Sequence, residues 1–347
     1  EESIAKGKQL YQDLECFTCH GRVGRADGES APDLTDDWDN PSRPANLSKA
    51  WNFRGGSTPR DIVTRVLTGL AGTPMPSYED VVEIEQYWHL ANYVRSLSPP
   101  APNYGTFIVA KPVTGEIPLD PKDDFWSAIP GVNFPLVGQV IMETRNFTPS
   151  IDRVTVRSVY NDQQIAFHLA WDDPTGSPKK TKKQLTDAIA LEFPAQLPEG
   201  RERPYFLMGN AADPVYLLRW TSGTGVEEAT ATGPAEVVPL KQKEPGVKGK
   251  VMYEDGHYQL VLTRPRGVDK QVNVPPFPVG RFIPIAFLAW DGDNGEAGSK
   301  LSLSSWYYLR LEPLPSQARW VYPPVVAIVV LGLELWGIRW ARRRARG

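Results

Sequence analysis

Cysteine is nearly absent: the 347 residues carry only Cys16 and Cys19. With no third cysteine there is no wider disulfide framework and no four-cysteine zinc site. Histidine and methionine are equally scarce, four of each, so a metal has few soft or imidazole ligands to choose from. No charge of one sign dominates. Thirty-eight Lys and Arg face 41 Asp and Glu, for a formal net charge of −3, so nothing points to nucleic-acid binding, which draws on an excess of basic charge. A signal-peptide pattern is missing too, since Glu1 opens directly into a polar helix, the pattern of a processed N-terminus. What is plentiful is proline, 33 residues, pointing to long connections and many short strands. The length suffices for two domains with separate cores.

The charge balance is uneven along the chain. Residues 1–100 hold ten Lys and Arg against fifteen Asp and Glu, while the last nine residues hold five arginines and no acid. That contrast predicts an acidic head domain and a basic tail with a separate role. One apolar run stands out, VVAIVVLGLELWGIRWA at 325–341, followed by RRRAR. Trp320, Tyr322, Trp336 and Trp340 lie where interfacial aromatics belong, and arginines flank one side only. The expectation is one transmembrane anchor at 320–341 with a basic cytoplasmic tail at 342–347, leaving the rest outside, on the periplasmic face. The alternative is an amphipathic surface helix in contact with lipid.

Periodicity divides the remainder. SIAKGKQLYQDL (3–14) reads as a helix, 21–60 as loop, and PRDIVTRVLTGL (59–70) as a helix. Residues 79–97 form the strongest helix, with Ile84, Tyr87, Trp88, Ala91, Val94 and Leu97 on one stripe. SPPAP ends it, so a domain at 1–100 is followed by a stiff linker at 101–105. From 106 to 315 the texture is that of strands: 137–144, 152–160, 164–171, 187–193, 214–221, 281–290 and 305–312, with a hairpin at 250–263 turning on Asp255-Gly256. About eight strands without regular helices predict an antiparallel β-sandwich. AFHLAWD (166–172) and AFLAWDG (286–292) echo each other as two equivalent core strands.

CFTCH at 16–20 carries the chemistry. A C-x-x-C pair alone fits a redox dithiol, half a zinc site or a haem attachment. The adjoining His20 favours haem c, because two thioether bonds at Cys16 and Cys19 fix the porphyrin and the next side chain can reach the iron. Met75, in GLAGTPMPSY between two prolines, is poorly explained as core filler. It is the candidate sixth ligand, and Met/His ligation raises the reduction potential and closes the iron to substrate.

The N-terminal helix, CFTCH, LSKAWNFRGGSTPRDIVTRVLTGLAGTPMPSY (47–78) and YWHLANYVRSL (87–97) resemble a class I cytochrome c domain. The resemblance implies an all-α fold in which Gly7 and Tyr11 cross Ala91 and Val94, with Trp51 and Arg54 toward the haem propionates and His89 an ordinary helix histidine.

In 106–315 there is no nucleophile–base pair, no metal-ligand spacing and no phosphate loop. His168 falls out of phase with its strand's apolar residues and His257 sits beside a turn, so neither is a good ligand. FWSAIPGVNFPL, IAFHLAWDDPTG, PYFLMGNAADPVYLLRW and FLAWDGDNGEAGSKLSLSSWYYLRLE resemble the haem-binding gamma subunits of the ethylbenzene dehydrogenase group. That group takes in dimethylsulfide dehydrogenase, selenate and chlorate reductases and related nitrite oxidoreductases, all molybdenum enzymes. The resemblance implies a non-covalent haem b held by Met208 and Lys300. It also implies iron–sulfur and molybdopterin partner subunits, with electrons relayed to or from a soluble cytochrome or a membrane quinol or oxidase complex. On that reading the chain is an electron-transfer subunit with no catalytic residue of its own. Three other readings stay open: an enzyme such as a peroxidase if Met75 leaves the iron open, a carbohydrate-binding sandwich with a single haem, and a dihaem subunit of a complex without molybdenum. The KKTKK run at 179–183 reads as a solvated loop.

Overall fold

The computed structural model describes residues 1–176, 185–241, 246–266, 274–314 and 318–345; the KKTKK run lies outside them. The N-terminal part contains α1 (Glu2–Asp13), α2 (Phe17–His20), α3 (Pro59–Thr68) and α4 (Ile84–Ser96), with two 3-10 turns between. Beyond the linker follow β1 (Phe107–Pro112), α5 (Asp124–Ser127), β2 (Val132–Pro135), β3 (Val137–Gly138), β4 (Arg153–Tyr160), β5 (Gln164–Asp172) and β6 (Ala188–Pro194). Then come β7 (Val215–Thr221), β8 (Gly225–Ala231), β9 (Val237–Pro239), β10 (Lys248–Glu254), β11 (His257–Pro265), β12 (Phe282–Trp290), β13 (Ser302–Leu303), β14 (Tyr307–Leu311) and α6 (Ala318–Arg344).

Local chemistry sets the helix limits. Thr58 caps α3 reciprocally with Asp61, and Pro59 takes the first helical position, where its missing N–H costs nothing. α4 starts at Ile84, five residues after the expected start, because Glu83 and Gln86 form the cap there. The buried stripe also differs from the expected one. Tyr87, Leu90, Ala91, Tyr93 and Val94 are buried, while Ile84 and Trp88 are exposed. α1 crosses α4 at Gly7, where a Cβ would come within 2.0 Å of the His89 carbonyl oxygen. Tyr11 meets the Tyr93 ring edge-on at 5.3 Å and shares one buried cluster with Ala91 and Val94. His89 accepts its ordinary role, with Nδ1 2.8 Å from the Ser3 hydroxyl.

Among the described residues the strands form one 14-stranded sheet with the path β10-β11-β5-β4-β1-β14-β12-β6-β7-β8-β9, from which β2 branches at β4, and β13 at β12 with β3 beyond it. The sheet is mixed, which corrects the purely antiparallel expectation: β1 runs parallel to both β4 and β14. As the first strand entering from the linker, β1 joins the two halves of the sheet, which face each other. Phe134 meets Phe287 at 4.9 Å, Phe167 meets Phe193 at 6.1 Å and Trp171 meets Trp220 at 6.0 Å. Large apolar residues of β4, β5, β6, β7, β11 and β12 fill the space between. The outer faces are covered as well. Ile117 and Trp126 cover Val159, Ala166 and Val261 on one side, so His168, which points outward as expected, is nonetheless buried against Trp126.

The two haem-type regions are docked to each other by charge. Lys49, 5% exposed, bonds Asp152 at 2.6 Å and Asp172 at 3.3 Å. Asn52 donates to Asp152 at 2.5 Å, Arg25 donates to the Gly256 carbonyl at 2.8 Å, and the Arg153 guanidinium lies 5.6 Å over the Trp51 ring. Removing the cation would leave Asp152 with the neutral Asn52 amide and Asp172 with Arg25 and His257. Lys49→Met should therefore lower stability by about 2 kcal/mol, read as a lower calorimetric midpoint; an unchanged midpoint would show that the contact contributes nothing.

The last helix, α6, is 27 residues long, and its stretch from Tyr322 to Arg344 is long and apolar enough to cross a membrane, with mean hydropathy 1.6 and no buried residue. Val325, Val326, Ile328, Val330 and Leu331 point to different sides of it, and all are exposed. An amphipathic surface helix would instead show a polar face.

Candidate haem-binding sites

α2 is a single turn that presents Cys16, Cys19 and His20 together. Both cysteines are half-buried, and they are not joined in a disulfide. Burial pushes the Cys16 thiol up to about 11, with Cys19 adding to the rise. A redox dithiol needs a thiolate near neutral pH, so this environment disfavours that reading. Cys16 and Phe17 lie against the apolar cluster of Tyr11, Ile62, Leu90 and Val94, together with Phe53, Val66, Leu67 and Tyr78.

Burial lowers the pKa of His20, and its Nδ1 lies 2.8 Å from the Ala45 carbonyl oxygen. Only a protonated nitrogen can bond a carbonyl, so Nδ1 carries the hydrogen and Nε2 keeps its lone pair for a metal. Met75 is half-buried on a loop pinned to the end of α3. Its carbonyl accepts from Leu70 N–H at 3.1 Å, and its own N–H donates to the Thr73 hydroxyl at 3.3 Å. Gly69, at φ +64°, permits this: a Cβ there would sit 2.8 Å from the Met75 carbonyl oxygen.

Two polar atoms at this site are buried without a hydrogen-bond partner, Trp51 Nε1 and Arg65 Nε. An orphaned indole N–H and a guanidinium N–H are what a haem carboxylate would satisfy. Trp51 thus holds a donor that such a carboxylate could take. The Arg54 side chain is exposed, and Arg54 offers its carbonyl to Arg65 Nη2 at 3.0 Å. Arg65 was not foreseen, although a cation amid the Ile62, Val63, Val66 stripe was the available signal.

The second site lies on the outer face of β12, β6, β7 and β8. Strand alternation puts Ala286, Leu288, Trp290, Ala188, Ala190, Val215, Leu217, Ala229 and Ala231 on that face, next to Leu207, Met208, Leu301 and Leu303. Five alanines leave room for a flat group to approach the sheet closely. Met208 is fully buried there, in the left-handed region at φ +57°, a conformation that costs a non-glycine residue of order 1 kcal/mol and recurs at ligand sites. Lys300 is half-buried, and its Nζ donates to the Asn294 carbonyl at 2.8 Å. The structure therefore brings the Met208 segment and Leu301, the neighbour of Lys300, onto one apolar cluster, with the Lys300 amine turned into its own loop.

Glu192 is the residue that sequence reasoning missed. It lies on the same face as Ala188 and Ala190, fully buried, and neither carboxyl oxygen has a hydrogen-bond partner. Burial pushes its pKa well above the usual range, partly offset by the nearby Met208 backbone N–H. Burial therefore favours its neutral form. One charged residue in the otherwise apolar AIALEFP strand was the only sign of it. Neither remaining histidine serves this face: His168 Nε2 lies 3.2 Å from the Pro121 carbonyl on the other layer, and exposed His257 pairs with Asp172 at 2.6 Å.

Comparison with known proteins agrees with this division. Residues 2–94 match the family described as cytochrome c oxidase, cbb3-type, subunit III, and residues 123–237 match the ethylbenzene dehydrogenase family. Over 224 residues the chain is 27% identical to a protein named as a respiratory nitrate reductase haem subunit in Haloferax mediterranei, covering 64% of this chain and 77% of that one. It is also 27% identical over 165 residues to the chlorate reductase gamma subunit of Ideonella dechloratans, covering 47% of this chain and 66%, just under two thirds, of the relative. Among solved structures, a reducing HAO-like protein complex of Kuenenia stuttgartiensis matches at 42% identity over 28% of this chain and 45% of that one, with a TM-score of 0.28. One chain thus joins a cytochrome c domain to a haem-subunit domain of the ethylbenzene dehydrogenase kind.

Proposed function

We propose that this chain is a membrane-anchored electron-transfer subunit carrying one haem c and one haem b. It would serve as the gamma subunit of a molybdenum oxidoreductase, relaying electrons between an iron–sulfur subunit and a cytochrome or membrane quinol or oxidase complex. The observation that carries the reading is the pairing, in one chain, of a CFTCH turn packed on its own apolar cluster with an alanine-paved apolar face beside Met208. The names of the two relatives, a haem subunit and a gamma subunit of reductases, support it.

Haem supplies the one-electron chemistry when bound. This chain's own residues supply the rest. His20, kept neutral by burial, and Met75 would ligate the covalent haem, with Cys16 and Cys19 as its thioether anchors and Trp51 and Arg65 toward its carboxylates. Met208 and Lys300 would ligate the second. With both irons closed by protein ligands, substrate chemistry would belong to a partner subunit. The Lys49, Asn52 and Arg25 contacts hold the two domains in one fixed relation, which a relay requires. The arginines after the apolar helix favour a cytoplasmic C-terminus, with both haem domains on the periplasmic side.

Haem content tests the proposal. The full chain, purified from membranes after maturation, should retain one haem through acid–acetone extraction and release a second of b type. A single haem per chain, all of it covalent, would remove the second site. Protease added to spheroplasts should digest both haem domains; full protection would reverse the topology.

A further inference from the structure

The strand echo between 166–172 and 286–292 has a structural consequence away from both haem sites. β5 and β12 run past Trp171 and Trp290 into acids, Asp172 and Asp173 in one and Asp291 in the other, and Asp173 meets Asp291. Carboxylate oxygens of Asp173, Asp187 and Asp291 lie within 4.8 Å of one another, with the three residues 0–1% exposed. Asp173 comes from one layer of the sheet, and Asp187 and Asp291 from the other, so the cluster closes one end of the main core.

Three acids together are not yet a site, since protons could neutralise them. A separate observation points to a ligand. Register places Ala188 opposite both Trp290 and Thr221, so Asp291, Asp187 and Ser222 form the next cross-strand row, with side chains on one face. Ser222 is 1% exposed, and its hydroxyl has no hydrogen-bond partner. Asp173 Oδ2 and Asp291 Oδ2 are likewise buried without partners. Asp187 is already oriented, accepting from Tyr258 O–H at 2.8 Å and from Gly292 N–H at 2.9 Å.

We propose that Asp173, Asp187, Asp291 and the Ser222 hydroxyl bind one calcium ion. The donors are all oxygen, which selects a hard cation over zinc or copper. Oxygens about 2.4 Å from one calcium lie no more than about 4.8 Å apart, matching the observed spacing. The depth of the site favours calcium over magnesium, which keeps several waters that this interior would have to house. Without a cation, burial and the neighbouring carboxylates push Asp173 up to about 8. A bound ion would tie β5 to β6 and β12. It would also brace the loop that runs from Asp291 to Lys300, already closed by Glu296 N–H to the Asp291 carbonyl at 3.0 Å.

The test uses the full haem-loaded chain, stripped with chelator. Calcium should raise its thermal midpoint by several degrees, and terbium should luminesce on tryptophan excitation, through Trp171 and Trp220, at one ion per chain displaced by calcium. Asp173→Asn, which keeps the shape and removes a charge, should abolish both signals; Ser222→Ala should weaken calcium binding severalfold and keep the fold. No calcium-dependent midpoint in the wild type, or terbium binding undiminished in both variants, would overturn the site and leave shared protons as the explanation. Magnesium shifting the midpoint as strongly as calcium would overturn the assignment of the ion.

Discussion

Met75→Ala should lower the reduction potential of the covalent haem by about 0.2 V, a fraction of the roughly 0.8 V span that axial ligands control, and abolish its long-wavelength sulfur–iron band. The reason is chemical. A thioether stabilises ferrous iron more than water or hydroxide does, and alanine offers no donor. The loop itself should survive, since its hydrogen bonds run through the Met75 backbone, to Leu70 N–H and the Thr73 hydroxyl, and not through its side chain. The covalent haem should therefore remain attached at Cys16 and Cys19. An open sixth position would also begin to bind cyanide or carbon monoxide, a second readout that a merely structural Met75 would not move. An unchanged band and potential would remove Met75 from the iron.

This site was legible because its information is local. CFTCH fixes three groups within five residues, and the Pro–Met–Pro loop is written in consecutive letters. Helix periodicity likewise gave α1 and α3 nearly whole. The stripe on α4 was misread because Leu90 and Tyr93 interleave with Ile84 and Trp88, and only the α1 crossing decides which side is buried. Strands with strong apolar runs, β4 through β7 and β10 through β12, were visible, and Asp255 and Gly256 do take positive φ at the hairpin turn. β1 and β8 were not: FIVAKP is short and GVEEATA is weakly apolar, and their pairing comes from partners far along the chain. The expected strand at 137–144 shrinks to Val137–Gly138, because the residues after it turn around Gln139, whose amide bonds Met142 and Ser299 carbonyls at 2.8 Å. Glu192, Arg65 and the carboxylates at the ends of β5 and β12 acquire meaning only through burial, which composition and spacing do not encode.

Lys300→Arg should lose the non-covalent haem while leaving the fold and the covalent haem intact, and it separates two roles that Lys300 could have. Its amine now donates to the Asn294 carbonyl, bracing the 291–300 loop. Arginine keeps the charge and has donors to spare, so if bracing were the whole role, Lys300→Arg would retain haem b. Ligation demands a lone pair. A lysine bound to iron must be the neutral amine, a state that the metal's own charge favours, whereas a guanidinium stays protonated and cannot donate. Lys300→Met should behave differently again, supplying a sulfur in place of nitrogen and giving a weakened site with an altered spectrum. Met208→Ala removes the opposite ligand. Loss of a group that merely orients a ligand weakens metal binding by about 10–100-fold, so loss of the ligand itself should bring haem content per chain from two to near one. If Lys300→Arg and Met208→Ala both keep haem b with an unaltered spectrum, the second iron is held elsewhere, and the buried Glu192 face is apolar packing around a neutral acid.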